Sequence, residues 1–307
     1  MTSCPSPLLL QLFSDPSLLP LLFEQIVNGL LVGSFYIVLS LGLWLIFNLA
    51  GVMNLSHGAF YAIGAYLAYE AEKRVGFFGA MVLSPVLVAL IGIAIERLLV
   101  NRMYGKDPAL GLLFTFALAM IVEQSLRMIW GSTGLPFPIP EGLRGQWIVG
   151  DFIYSHYRLS SMAVSVMAVL GCWLLLNRTP FGLVVRAGMR DPEMVRALGI
   201  GLGPARAAIF ALGVALAALA GVMSAPLAGV QPAMGGEILI AVFVVVLIGG
   251  LGSFWGVVLA GLLLGLVRGI TVFACPPAAA ASAYLLMVLV VLLRPHGLLR
   301  ARFAKFE

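Results

Sequence analysis

An all-α, polytopic integral membrane protein with roughly eight to nine transmembrane or partly spanning helices is what this sequence predicts, on three observations. Hydrophobic residues make up 62% of the 307-residue chain and charged residues 10%, with a mean hydropathy of +1.08. A soluble domain carries about 25% charged residues, so that class is excluded. Several apolar runs reach the ~20 residues that a helix needs to cross a bilayer. Runs such as VMAVLGCWLLL and YLLMVLVVLL are continuously apolar, whereas a membrane β-barrel shows ~10-residue segments of alternating polarity.

The elements follow in order. Residues 1–21 include MTSCPSPLLLQLFSDPSLLP, which has no Lys or Arg and so lacks the basic region of a signal peptide. Its prolines predict a short interrupted segment lying at the membrane surface. A single transmembrane domain is predicted over 22–300, with a cytoplasmic tail at 301–307. Within it, helices are predicted at 22–47, 57–72, 79–100, 108–130, 160–176, 204–226, 237–250, 255–273 and 282–294. Gly and Pro punctuate the ends, as in LSP, KDP, LGP and CPP. The segment at 237–250 is short for a full crossing.

Charge sets the orientation. Arg97, Arg102 and Lys106 form one basic region, Arg178, Arg186, Arg190, Arg196 and Arg206 a second, and Arg294, Arg300, Arg302 and Lys305 a third. These are twelve of the eighteen Lys and Arg, and the positive-inside rule assigns all three regions to the cytoplasm. An even number of predicted crossings separates them, which agrees. The loop at 131–159 and the N-terminus then face outward, with Lys73 and Arg74 a mild exception offset by Glu70 and Glu72. The net charge of +5 follows from this topology, and nucleic-acid binding is not needed to explain it.

Glycines recur at four-residue spacing in Gly29/Gly33, Gly252/Gly256 and Gly261/Gly265 (with Gly269). Such spacing lets membrane helices approach closely. An internal echo joins HGAFYAIGAYLAY (57–69) to LGSFWGVVLAGLL (251–263), and transporters often contain duplicated halves.

The most informative polar stretch is RAGMRDPEMVRALGIG, 186–201. Arg190 precedes Asp191, a good N-cap; Pro192 suits the first helical position and Glu193 the positive end of the helix dipole. Met194, Ala197 and Leu198 fall on one face, and Gly199 can end the helix. An amphipathic helix of roughly two turns does not hold itself together in water. It packs either on its own protein or into a groove on a partner.

Inside the membrane, Glu123 and Arg127 are four apart and can pair on one helix face beside Gln124. Arg268 is expected toward the outer surface. GVMNLSHGAF, 51–60, sets Asn54, Ser56 and His57 between two apolar runs. This knot reads as the start of the second helix, with Asn54 and Ser56 capping free N–H groups. His57 either packs there or joins Asn54, Ser56 and Gln124 on a substrate path.

There is no GxxxxGK[ST], so the chain has no nucleotide loop of its own. No Ser/His/Asp order or HExxH is present, and His57, His156 and His296 are scattered, so neither catalysis nor metal binding is expected. Cys4, Cys172 and Cys275 have no metal-ligand spacing and are odd in number, and no structural disulfide is expected.

Taken together, NGLLVGSFYIVLSLGLWLIFNLAGVMNLSHGAFYAIGAYLAY (28–69), RAGMRDPEMVRALGI with FALGVALAALAGVMSAP, IGGLGSFWGVVLAGLLLG and the terminal LLRPHGLL resemble the branched-chain amino acid ABC transporter permeases, closest to the H-type subunit. Asn54-Leu55-Ser56-His57-Gly58 matches the family signature that opens the second helix. The likeness covers about 22 to 300, and the loop at 131–159 is its least family-like part. The resemblance implies an ABC importer permease fold in the bacterial inner membrane, with the helix after Asp191 as the coupling helix. It implies a second permease subunit, two ATP-binding subunits that hold ATP and Mg, and an extracytoplasmic binding protein; no cofactor is expected on this chain. Branched-chain or other apolar amino acids are the first expectation for substrate, with urea, short amides or aromatic acids as alternatives. An ion-coupled secondary transporter is the rival class, but it needs ionisable groups at mid-membrane. Apart from His57, Glu96, Glu123 and Glu237 all fall near predicted helix ends.

Overall fold

The computed structural model describes residues 19–51, 53–149, 152–294 and 297–299. Nearly all of the segment predicted at 1–21, and the whole tail at 301–307, lie outside the described residues. The chain runs through α1 (Leu19–Ala50), α2 (His57–Leu98), α3 (Pro108–Trp130), β1 (Gln146–Val149), β2 (Phe152–Ser155) and α4 (His156–Arg178). It continues through α5 (Pro180–Arg190), α6 (Pro192–Ala197), α7 (Leu202–Ala228), α8 (Met234–Gly249), α9 (Phe254–Ala274) and α10 (Ala279–Leu293). Among the described residues, seven helical stretches are long and apolar enough to cross a membrane, and α8 is a shorter apolar helix. The protein is an all-α, multi-pass membrane protein.

One of those stretches is two helices. Gly76 breaks α2 with φ 71° and ψ 171°. The Ser84 hydroxyl donates to Gly64 O at 2.6 Å, whereas twenty residues along a straight helix would span about 30 Å. The predicted helices at 57–72 and 79–100 are therefore the antiparallel arms of a hairpin.

Two helices form the centre. α1 and α7 are apolar all round, as fully enclosed helices must be, and most of their length is buried. They meet at Gly42 and Gly213, where a Cβ on Gly213 would lie 2.7 Å from Gly42 O. α9 lies along α1 on a second glycine seam: a Cβ on Gly29 would lie 2.7 Å from Gly265 O, and one on Gly33 2.9 Å from Gly261 O. Dispersion across such close backbones holds helices together where the hydrophobic effect is absent. Gly256 packs against Gly249 where α8 turns into α9. Gly252 departs from the expectation, since it lies in the turn before α9 and not on a helix face. Ser253 caps that helix by accepting from Gly256 N–H at 3.0 Å, so the spacing of Gly252 and Gly256 records a turn and a helix start.

The chain repeats itself upside down. α1 and α7 end on the same sequence, Leu49-Ala50-Gly51-Val52 and Leu227-Ala228-Gly229-Val230. Gly51 and Gly229 both take positive φ, 69° and 76°, which glycine alone adopts without strain. Short links then lead to α2 and α8, whose second residues, Gly58 and Gly235, face each other so closely that a Cβ on either would overlap the other's carbonyl oxygen. The second arm of α2 opens on Phe77-Phe78-Gly79 and α9 on Phe254-Trp255-Gly256. α3 answers to α10, and α4 makes the odd crossing that turns the second half over. The echo expected between 57–69 and 251–263 is thus displaced: residue 57 answers to 234, and 77 to 254. Aromatic-glycine helix starts recur along this chain, and only the helix ends fix the register.

α3 leads into a loop that returns through an antiparallel hairpin, with Trp147 opposite Tyr154 and Ile148 opposite Ile153. Leu135 and Val230 exchange backbone hydrogen bonds of 2.8 and 2.9 Å, tying this loop to the α7–α8 link. This end is called the hairpin end below, and the opposite end, which carries α5 and α6, the basic end. Cys172 is buried and free. Cys275, just past α9 at the hairpin end, is disulfide-bonded, contrary to the expectation from the cysteine count.

Candidate functional site

At the basic end, two helices start by the same device. Thr179 Oγ1 accepts from Gly182 N–H at 3.0 Å, with Pro180 first in α5. Asp191 Oδ1 accepts from Met194 N–H at 2.9 Å, with Pro192 first in α6 and Glu193 in its first turn. Each cap satisfies a free donor, and each proline removes another. α6 ends at Gly199, φ 79°, whose N–H donates to Arg196 O at 2.9 Å. Val195 anchors the helix in the protein, while Met194 and Leu198 are 58% and 71% exposed; Arg190 and Ala197 are exposed as well. Beside them a groove of about 660 Å³ is lined by Trp44, Asn48, Leu183, Arg186, Met194 and Leu198. Arg186 donates to Leu176 O and to Asn177 Oδ1 at 2.8 Å, closing the open end of α4. Tyr104 donates to Glu96 Oε1 at 3.0 Å beneath the Arg206 guanidinium. Its burial and the Glu96 carboxylate push the Tyr104 hydroxyl well above the ordinary phenol range.

The knot at 54–57 lies inside the bundle. Asn54, Ser56 and His57 are all buried. His57 Nε2 bonds Leu39 O at 2.9 Å; Leu39 lies about 16 Å before the end of α1 at 1.5 Å per residue. The link after Ala50 therefore turns back into the protein, and α2 begins within the membrane. Irregular backbone at that depth is tolerated only where protein surrounds it. Leu55 N–H donates to Thr115 Oγ1 on α3 at 3.1 Å. Asn54 Oδ1 accepts both the Ser56 N–H at 3.1 Å and the Ser56 hydroxyl at 2.5 Å. Ser56 makes no side-chain cap bond to α2, so the capping expected of both residues reduces to a turn closed by Asn54. Asn54 Nδ2 and His57 Nδ1 are buried without a partner. Gln124 lies elsewhere, exposed on α3 beside the Glu123–Arg127 pair of 2.6 Å and about 13 Å farther along that helix than Thr115. The four residues singled out in the sequence for a substrate path do not surround one cavity.

A cavity of about 430 Å³ sits at the hairpin end, where α1, α2, α7, α8, α9 and α10 converge. Tyr36, Tyr61 and Ser224 form its buried floor. Ser224 Oγ donates to Gly221 O at 3.0 Å, so the Tyr61 hydroxyl donates to Ser224 across 2.6 Å. Glu237 on α8 and Arg268 on α9 stand at the exposed rim. Arg268 donates to the Tyr36 hydroxyl, and Gln231 Nε2 donates to Glu237 Oε2 at 3.2 Å. Leu31, Phe35, Ile238 and Leu264 supply apolar wall. The sequence carries no signal that joins Glu237 to Arg268, because they sit on different helices that only the fold brings together. Among the described residues, no group of three His, Cys, Asp or Glu is placed to hold a metal.

A multi-pass bundle of inverted halves, with a short helix pair at one end and a polar-floored cavity at the other, has the build of a membrane transport protein. The chain belongs to the family described as branched-chain amino acid transport system, permease component, whose model matches residues 25–293. It is 29% identical to the high-affinity branched-chain amino acid permease protein BraD of Pseudomonas aeruginosa, covering 90% of this chain and 95% of that one. It is 25% identical to LivH of Escherichia coli, over 90% and 94% of the two chains. It is 27% identical to the high-affinity branched-chain amino acid transport system permease protein LivM of Escherichia coli, over 86% of this chain and 67% of that protein. These relatives are transport permease proteins, not enzymes.

Proposed function

We propose that this chain is one membrane-spanning half of an ATP-driven importer for branched-chain or other apolar amino acids, working by alternating access. The observation that carries the reading is α6: a capped, six-residue helix at the basic end that shows Met194 and Leu198 to solvent. A helix so short needs a partner surface, and an ATPase groove supplies one. The family and the names of BraD and LivH support the substrate class. The similarity to both LivH and LivM supports pairing with a second, related permease. Two ATP-binding subunits would carry ATP and Mg, a soluble binding protein would deliver substrate, and this chain would hold no cofactor. The setting is the bacterial inner membrane, with the basic end and C-terminus in the cytoplasm and the N-terminus and hairpin end outside.

The experiment is co-purification of the ATPase subunits with a Met194→Asp, Leu198→Asp double variant. The expected result is loss of the ATPases from a chain that still inserts in the membrane. Full recovery of the complex would refute the coupling role.

A further inference from the structure

The cavity at the hairpin end lies where the two inverted halves meet. Tyr61, from the first arm of α2, and Met234, at the start of α8, both line it. These are the two helices that begin next to each other at Gly58 and Gly235. Transporters of inverted build hold their substrates at that kind of junction. Ionisable side chains at the rim of such a cavity can take the charges of a ligand.

Two such groups of opposite sign share this cavity, and no ion pair joins them. Arg268 is steadied by the Tyr36 hydroxyl, which leaves further guanidinium donors for a ligand. Glu237 takes Gln231 on Oε2 and keeps acceptor capacity on Oε1. Ala279 and Ala280, the first residues of α10, also line the cavity, and a helix N-terminus favours an anionic group. Leu31, Phe35 and Leu264 add apolar surface to the lining. The volume of about 430 Å³ falls among small-molecule pockets. A free carboxylate, a free ammonium and an apolar side chain on one small molecule match this lining.

We propose that the cavity is a subsite for a zwitterionic, apolar amino acid held inside this one chain, with the carboxylate on Arg268 and the ammonium on Glu237. The proposal rests on the reading of the chain as an amino-acid permease. It is tested without the ATPases, so its failure would leave the coupling experiment standing.

The full-length chain, purified in detergent, is titrated with L-leucine, L-phenylalanine, leucinamide (no carboxylate) and 4-methylpentanoate (no ammonium). L-Leucine or L-phenylalanine should bind, and each single-charge analogue should bind about tenfold or more weakly. Arg268→Gln should weaken L-leucine about tenfold and leave leucinamide unchanged, while Arg268→Lys keeps part of the carboxylate preference. Glu237→Gln should weaken L-leucine and leave 4-methylpentanoate unchanged. Binding of neither amino acid overturns the proposal. So does either Gln variant that spares L-leucine, or one that weakens all the ligands alike.

Discussion

The start of α2 and the start of α8 follow one backbone plan, yet the first turns its polar side chains into the bundle and the second turns one to the rim of a cavity. Both come after a long buried helix that ends in LAGV, and both have glycine as their second residue. At α2, His57 turns onto Leu39 O, and Phe60 stacks edge-on against Phe210 with ring centroids 6.0 Å apart. Thr115 takes the free N–H of Leu55. At α8, the corresponding stretch turns Met234 and Glu237 toward the cavity. The backbone break belongs to the fold, and the side chains placed on it decide whether it holds a buried polar knot or borders a polar cavity.

Substitutions can break that comparison in order of size. Gly58→Leu forces a side chain into the carbonyl of Gly235 and strikes both helix starts at once. It should cost about 3 kcal/mol, read as a lower thermal midpoint in detergent; an unchanged midpoint would mean that the two starts do not meet. His57→Ala removes the buried imidazole and its hydrogen bond to Leu39, and should cost about 2 kcal/mol. If stability holds while transport collapses, His57 belongs to the substrate path. Thr115→Val leaves the Leu55 N–H unpaired within the protein and should cost about 1 kcal/mol. Faster amide exchange confined to the stretch after Asn54 is the companion signature, and its absence would assign that N–H another acceptor.

Much of the fold was readable because a bilayer leaves the chain few choices. Predicted helices at 108–130 and 204–226 fall within a few residues of Pro108–Trp130 and Leu202–Ala228. The cap at Asp191 was readable for local reasons, since an N-cap and a following proline need no distant partner. α5 has the same signal in Thr179-Pro180, but its arginines read as a solvated loop. The reversal at Gly76 shows in sequence only as a glycine after charged residues. What could not be read is whatever needs two distant segments at once. Arg268 and Glu237 each look like helix-end charges with outward access, and only the convergence of six helices puts them in one cavity. The knot at His57 is similar: its partners, Leu39 and Gly42, lie on another helix.

A chain made of two mutually inverted halves has a backbone that is almost indifferent to which way up it sits. Turning it over in the membrane exchanges the roles of α1 and α7 and leaves nearly every helix crossing in place. Handedness with respect to the bilayer must then come from the decoration, and the basic end supplies it: Arg178, Arg186, Arg190, Arg196 and Arg206 all flank or lie in α5, α6 and the start of α7. On the proposed orientation, the arginines that flank α5 and α6 act as ballast: they set which of two similar faces meets the cytoplasm.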